Sequence, residues 1–311
     1  MVAIRKALPQ PGGALHLTDS GLETDLIFHH GVDLPHFAAF PLLGREAGRA
    51  LLAHYYDEHA RLAVDAGLPM ILETPTWRAS PDWAELLGYD AAALRSVNRD
   101  AVDTLLDVRA RHPEAALVIS GCIGPRADAY QAGTVTADEA RGYHTAQVEA
   151  FASTDCDVVS ALTLTSVDEA VGVVQAAVEA DLPVVVSFTV ETDGRLPDGT
   201  SLDDAVQQTD ARTDGAAQYF MVNCAHPDHV EPALASAGPS RQRLVGVRAN
   251  ASRASHAELD DAESLDEGDA LELGAGLTDL RRRYPALSVL GGCCGTDVRH
   301  VRAIAALAAG A

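Results

Sequence analysis

Apolar, β-branched runs alternate with amphipathic segments along the whole chain. Runs at 14–19, 70–74, 117–121, 158–162, 184–190, 219–224, 244–249 and 288–292 read as strands. Between them, segments near 49–66, 83–111, 137–151, 167–180, 202–214, 228–235 and 267–284 carry helical spacing, and a last helix near 298–309 follows. Eight βα units in 311 residues predict an α/β fold, a TIM (β/α)8 barrel forming a single domain over 1–311. The rival is a doubly wound sheet. It needs fewer strands and usually has a glycine-rich phosphate turn after the first one. Here that strand ends in Thr18-Asp19-Ser20-Gly21, which is not a GxGxxG turn.

In a barrel of this kind the active site lies at the C-terminal ends of the strands. Those ends read, in order, Asp19-Ser20, Glu73-Thr74, Cys122, Leu162-Thr163, 189–191, Asn223-Cys224, 248–250 and Cys293-Cys294. Cys224, Cys293 and Cys294 therefore converge on one mouth. The last two sit in Leu290-Gly291-Gly292-Cys293-Cys294-Gly295-Thr296. Side chains of neighbouring strand residues point to opposite faces, so two adjacent thiolates meet one ion only where the backbone leaves strand geometry. The flanking glycines make that departure sterically cheap. Buried free cysteines more commonly act as small hydrophobes, and a vicinal disulfide is a rarer alternative. The glycine bracket and the matching strand-end position of Cys224 favour a metal. Three thiolates suit zinc, and three protein ligands leave the fourth position open, as in catalytic sites.

Composition narrows the chemistry. A net charge of −22 argues against nucleic acid and against anionic membranes as partners. Part of that charge lies in 258–269, which has seven acids and no base and is expected to be a solvated loop. No apolar run reaches the roughly 18 residues of a membrane span. Residues 1–13 lack the apolar region of a secretory signal. Five cysteines without framework spacing point to a reducing, cytoplasmic setting. Lys6 is the only lysine and falls in an N-terminal stretch expected to be disordered. Schiff-base and pyridoxal phosphate chemistry, which need a buried lysine, are thereby disfavoured.

A zinc held by three thiolates carries net charge −1 and is a weak Lewis acid. A thiol entering as fourth ligand would lose its proton and be held in one orientation. Such a site suits alkyl transfer to sulfur better than hydrolysis.

At this point the motifs resemble a known family. Asp19-Ser20-Gly21, Glu73-Thr74-Pro75-Thr76-Trp77, Gly121-Cys122-Ile123-Gly124-Pro125, Asp198-Gly199-Thr200, Val222-Asn223-Cys224 and Gly291-Gly292-Cys293-Cys294-Gly295-Thr296 resemble, in order, the homocysteine S-methyltransferases. That family includes the betaine- and S-methylmethionine-dependent enzymes. The resemblance implies a TIM barrel and a Zn2+ held by Cys224, Cys293 and Cys294, the catalytic set. It implies methyl transfer from a small onium donor (S-methylmethionine, betaine or S-adenosylmethionine in type) to a thiol, homocysteine first, as in methionine biosynthesis. Asp19 and the backbone near Ser20 would hold the acceptor's amino acid head group, and Thr74 would line the same pocket. No separate folate or cobalamin domain is expected, and an oligomer is compatible with the pattern.

Three departures stand out. Asp19-Ser20-Gly21 replaces the family's Asp-Gly-Gly. Leu162-Thr163 replaces a Glu-Thr whose glutamate holds the substrate amino group. Phe37 stands where a tryptophan is common. Loss of one anion would weaken homocysteine binding by about 1.5–3 kcal/mol. Glu73 either replaces that charge or pairs with an arginine such as Arg78. The alternatives to homocysteine methylation are a related alkyl transferase or betaine-like demethylase with a different acceptor, and an inactive zinc-binding barrel. His226 and His229 are read as helix-start or surface residues rather than ligands. Cys122 and Cys156 are read as buried small residues, and Glu191 as a loop carboxylate rather than a base.

Overall fold

The computed structural model describes residues 6–310 apart from 128, 261 and 263. Among these described residues, eight parallel strands close into a barrel in sequence order: β1 (His16–Thr18), β2 (Met70–Glu73), β3 (Leu117–Ile123), β4 (Val158–Leu164), β5 (Val184–Phe188), β6 (Phe220–Ala225), β7 (Leu244–Ala249) and β8 (Val289–Gly292). β8 pairs with β1 through Leu17↔Leu290 and completes the ring.

The helices are α1 (Leu22–Phe28), α2 (Glu46–Ala66), α3 (Pro81–Leu86), α4 (Ala91–Arg111), α5 (Ala137–Ala152), α6 (Val167–Glu179), α7 (Leu202–Thr213), α8 (Pro227–Ser236), α9 (His256–Asp260), α10 (Ala270–Arg283) and α11 (Val298–Ala308). Their starts follow capping chemistry. Thr136 and Glu139 form a reciprocal capping box on α5, and Ser166, Ser201 and Asp269 cap α6, α7 and α10.

Strand alternation sorts the core into two layers. Met70, Leu72, Leu117, Ile119, Val184, Val186, Phe220 and Val222 face the helices. Ile71, Val118, Val158, Val185, Tyr219, Met221, Val245 and Val289 fill the barrel. Toward the C-terminal ends the inward positions turn polar: Ser120 and Ser160 hydrogen-bond across β3 and β4 at 2.8 Å. The polar chemistry is thus raised onto an apolar plug.

Three sequence expectations change. The segment 83–111 is not one helix: Gly88 at φ +79° ends the turn after α3, and Asp90 restarts the chain as α4 by accepting from the Ala92 and Ala93 N–H groups. The acidic stretch 258–269 is not simply a solvated loop. Its start lies in α9, Asp266 accepts from Ser252 Oγ, and Glu267 pairs with Arg299 at 2.9 Å and with His29; positions 261 and 263 lie outside the described residues. Lys6 is anchored, its main-chain N–H donating to Asp157 Oδ1 at 2.9 Å.

Candidate active site

A cleft of about 610 Å³ opens at the C-terminal mouth, lined by Asp19, Ser20, Glu23, Phe37, Glu73, Thr74, Trp77, Cys122, Tyr130, Leu162, Thr163, Arg248 and the three cysteines.

At one side of the cleft the sulfurs of Cys224, Cys293 and Cys294 all lie within 4.8 Å of one another. Tetrahedral zinc with bonds near 2.3 Å places sulfurs about 3.8 Å apart, so this donor set fits a metal. Among the described residues, no histidine or carboxylate joins the three sulfurs. Two backbone departures bring them together. β6 shifts register between Asn223 and Ala225, with Cys224 at φ +56°, a left-handed conformation uncommon for a residue with a side chain. β8 stops at Gly292, so Cys293 and Cys294 lie in the turn beyond it.

The glycines act differently from the sequence expectation. Of Gly291, Gly292 and Gly295, only Gly295 uses a positive φ, +76°. Gly291 and Gly292 are needed for close approach: a Cβ on the first would meet Thr18 Oγ1 at 1.9 Å, and on the second Thr296 Oγ1 at 2.0 Å. Asn223 locks the geometry. Its Oδ1 accepts from Thr163 N and Ser187 Oγ, both at 2.7 Å, and its Nδ2 points to Cys293 Sγ at 3.8 Å. Thr163 is itself held at φ +63°. Tyr130 Oη lies 3.2 Å from Cys224 Sγ, and Asn250 Nδ2 is 3.6 Å from it.

The three thiols share protons unevenly. Hydrogen bonds from Cys224 and Cys294, helped by the Arg248 charge and Asn223, make Cys293 the most acidic. The same contact to Cys293 pushes Cys224 up to about 12, and the contacts to Cys224 and Cys293 push Cys294 upward.

The floor of the cleft is a buried charge cluster. Arg248 Nη2 donates to Asp19 Oδ1 at 2.5 Å, and its Nη1 lies 3.5 Å from Glu73 Oε1. Glu73 N donates to Asp19 Oδ2 at 2.9 Å. Burial opposes charge on Arg248, but Asp19 and Glu73 outweigh it and keep the guanidinium protonated. Burial pushes the Glu73 carboxyl up to about 7, against the pull of Arg248. The expected pairing of Glu73 with Arg78 is therefore replaced. Arg78 stacks on the Trp77 and Trp83 rings, 4.1 and 3.9 Å from their centres.

The other expected residues fall as follows. Ser20 N and Oγ both meet Tyr55 Oη, and Ser20 Oγ also meets His59 Nε2 at 3.0 Å. Thr74 Oγ1 accepts from Cys122 N at 2.9 Å and meets Thr76 Oγ1. Leu162 lines the cleft next to Thr163. Phe37 meets Trp77 edge-on at 6.3 Å. Cys122 is buried on the cleft wall, and Cys156 Sγ donates to Val158 O. His226 begins α8, its Nδ1 accepting from Asp228 N, and burial lowers its pKa to about 4.

Sequence reasoning assigned no role to Arg248, Tyr130 or His256. His256 Nε2 contacts Cys224 O at 2.9 Å, stacks on Tyr130 at 4.1 Å and meets Glu191 Oε1 at 3.2 Å, behind the thiol cluster. Arg248 could have been noticed as the one cation at a strand end. Tyr130 lies in a connection and His256 opens the five-residue α9, too short for periodicity to mark it.

Residues 17–308 match the family described as homocysteine S-methyltransferase. Among solved structures the chain is similar to the metallated form of the homocysteine methyltransferase MmuM from Escherichia coli, with 20% identity, TM-score 0.74, and 94% of this chain and 96% of that one covered. The oxidised form of that enzyme matches at 20% identity and TM-score 0.75, covering 94% and 95%. The apo form matches at 17% identity and TM-score 0.65, covering 94% and 95%. No curated protein gives a significant sequence match. At these identities the structural likeness establishes the shared barrel. The match over nearly the whole chain goes further: this protein is a methyltransferase belonging to the homocysteine S-methyltransferase family.

Proposed function

We propose that the protein is a zinc-dependent S-methyltransferase that moves a methyl group from a small onium donor to a thiol acceptor, with homocysteine, yielding methionine, as the first acceptor to test. The observation that carries this reading is the closure of Cys224, Cys293 and Cys294 to within 4.8 Å at the edge of a cleft with a charged floor.

Those three cysteines would hold the zinc, and the bound metal would lower the pKa of an acceptor thiol so that it reacts as a thiolate. The surrounding residues tune the set. Asn223, Asn250 and Tyr130 hydrogen-bond to the cysteine sulfurs and withdraw charge from them. His256 fixes the Cys224 main chain and the Tyr130 ring. The acceptor's polar end would lie toward Arg248, Asp19 and Glu73. Phe37, Trp77 and Tyr130 line the cleft, and their rings would meet an onium methyl by cation–π attraction. In the transfer, the methyl–sulfur or methyl–nitrogen bond of the donor breaks as a carbon–sulfur bond forms at the acceptor. The donor leaves as a neutral thioether or amine, and the acceptor's thiol proton goes to solvent.

One observation favours a second reading, in which the same chemistry acts on a different thiol: Leu162 and the Arg248–Asp19 pair alter the head-group end of the cleft. The test is a methyl-transfer assay on reduced, zinc-loaded protein over a panel of thiols with sulfonium and quaternary ammonium donors. Turnover of any thiol supports the class, and the fastest acceptor identifies the substrate. Zinc-loaded protein inactive on the whole panel would favour a non-catalytic barrel and overturn the proposal.

A further inference from the structure

Asp19 is the acid expected to hold an acceptor's ammonium, but both of its oxygens are already in use. Oδ1 takes Arg248 Nη2 at 2.5 Å and Oδ2 takes Glu73 N at 2.9 Å. The second acid expected for that role is Leu162, an apolar wall. Of the other acids on the cleft, Glu73 faces Arg248, and burial raises both the Glu73 and the Glu23 carboxyl to about 7, which limits the charge either offers an ammonium.

We infer that Arg248 is a specificity-determining residue: its guanidinium occupies the position opposite Asp19 that a substrate ammonium would take, so this cleft selects thiols recognised by a carboxylate, with no requirement for an α-ammonium. The inference rests on the methyl-transfer reading above and narrows its acceptor class.

Two properties of Arg248 support it. The residue is 4% exposed yet lines the cleft, so its charge acts in a partly desolvated space where electrostatic selection is strong. Its hydrogen-bonding capacity is only partly spent: Nη2 is shared between Asp19 and Ser20 O, Nη1 faces Glu73 Oε1 at 3.5 Å, and among the described residues neither Nε nor Nη1 has a hydrogen-bond partner. Buried polar groups are rarely left so, and a guanidinium with donors to give is a matched partner for a carboxylate. Among the described residues Glu73 Oε2 likewise has no hydrogen-bond partner, and the rise of that carboxyl to about 7 limits the negative charge that a bound carboxylate would meet. An arriving ammonium, by contrast, would face a cation already in its place, and like charges side by side in such a space are costly.

Three thiols of one chain length separate the possibilities. Homocysteine carries both groups, 4-mercaptobutanoate lacks the ammonium, and 3-mercaptopropylamine lacks the carboxylate. Binding to the reduced, zinc-loaded protein is measured by calorimetry, so the result does not depend on methyl transfer. We expect 4-mercaptobutanoate to bind within fivefold of homocysteine and 3-mercaptopropylamine to bind more weakly than both. A loss of more than fivefold for 4-mercaptobutanoate, an amine that binds as tightly as the acid, or no binding of the acid would each overturn the inference. Arg248→Lys should keep the order, and Arg248→Met should shift it toward the ammonium-bearing thiols. Should neither variant fold, the wild-type ranking decides alone. Failure of methyl transfer to every thiol, with this ranking intact, would sink the functional reading and leave the recognition inference standing.

Discussion

Arg248 Nη2 and Asp19 Oδ1 meet at 2.5 Å, although 229 positions separate them in the chain. Arg248 is on β7 and Asp19 just past β1, so the pair spans β8, which lies between them. Both side chains are at most 5% exposed. A buried pair of this kind contributes little net stability. Removing one partner alone is costly, at about 3–5 kcal/mol, because the other charge is stranded. Its value here lies in the electrostatics of the cleft.

The metal set gives the first prediction. Reduced protein should bind about one zinc per chain through three thiolates. Single Cys224→Ala, Cys293→Ala and Cys294→Ala changes should each lower zinc content and abolish methyl transfer, and a chelator should do the same to the wild type. Elemental analysis is the check. A triple variant that keeps stoichiometric zinc would refute the assignment.

Asn223 supplies the second. It holds Thr163 and Ser187 and points to Cys293. Asn223→Ala should weaken zinc binding about 10- to 100-fold, the usual cost of removing a supporting hydrogen bond around a metal ligand. A chelator competition titration measures this. Unchanged affinity in a folded variant would show that the hydrogen bonds are incidental.

Glu73 predicts a pH effect. Its folded-state pKa is raised to about 7 by burial, well above the ordinary glutamate value of 4.5. Between those values the folded chain binds more protons than the unfolded one, so stability falls as pH rises through that window. The full effect is at most about 3 kcal/mol. Glu73→Gln should flatten the fall between pH 4.5 and 7 in denaturant titrations, with Glu23, raised to about 7 by its own burial, still contributing in both proteins. Parallel pH profiles for wild type and variant would exclude Glu73 as the cause.

Leu162 leads to a gain of function. A carboxylate introduced there gives an acceptor ammonium an anion not already held by Arg248. Leu162→Glu should raise kcat/KM for homocysteine, relative to 4-mercaptobutanoate, by about tenfold, or roughly 1.4 kcal/mol. A folded, zinc-loaded variant with an unchanged ratio would count against the assignment of this position to the head-group end.

Gly291 tests the close approach of β8 to β1. An added Cβ would lie 1.9 Å from Thr18 Oγ1. Gly291→Ala should cost about 1–3 kcal/mol by overpacking and should loosen the adjacent thiol cluster. A thermal melt with the wild-type midpoint would show that Thr18 can simply step aside.

By itself the sequence determined the number and order of the strands, because each is a short apolar run between helical patterns and parallel strands need such crossovers. It also determined which residues reach the mouth, because chain direction puts every strand's C-terminal end on one face. Cys224, Cys293 and Cys294 were legible for that reason. Tertiary structure alone decided how these residues pair. Glu73 faces Arg248 rather than Arg78 because barrel closure brings β7 near β1 and β2, while Arg78 turns outward onto two tryptophans. Cys224 meets its partners through a left-handed backbone conformation that residue type does not encode and that Asn223, His256 and the β6 register shift impose together. Contacts of this kind depend on the position of every other strand, so they exist only once the barrel has closed.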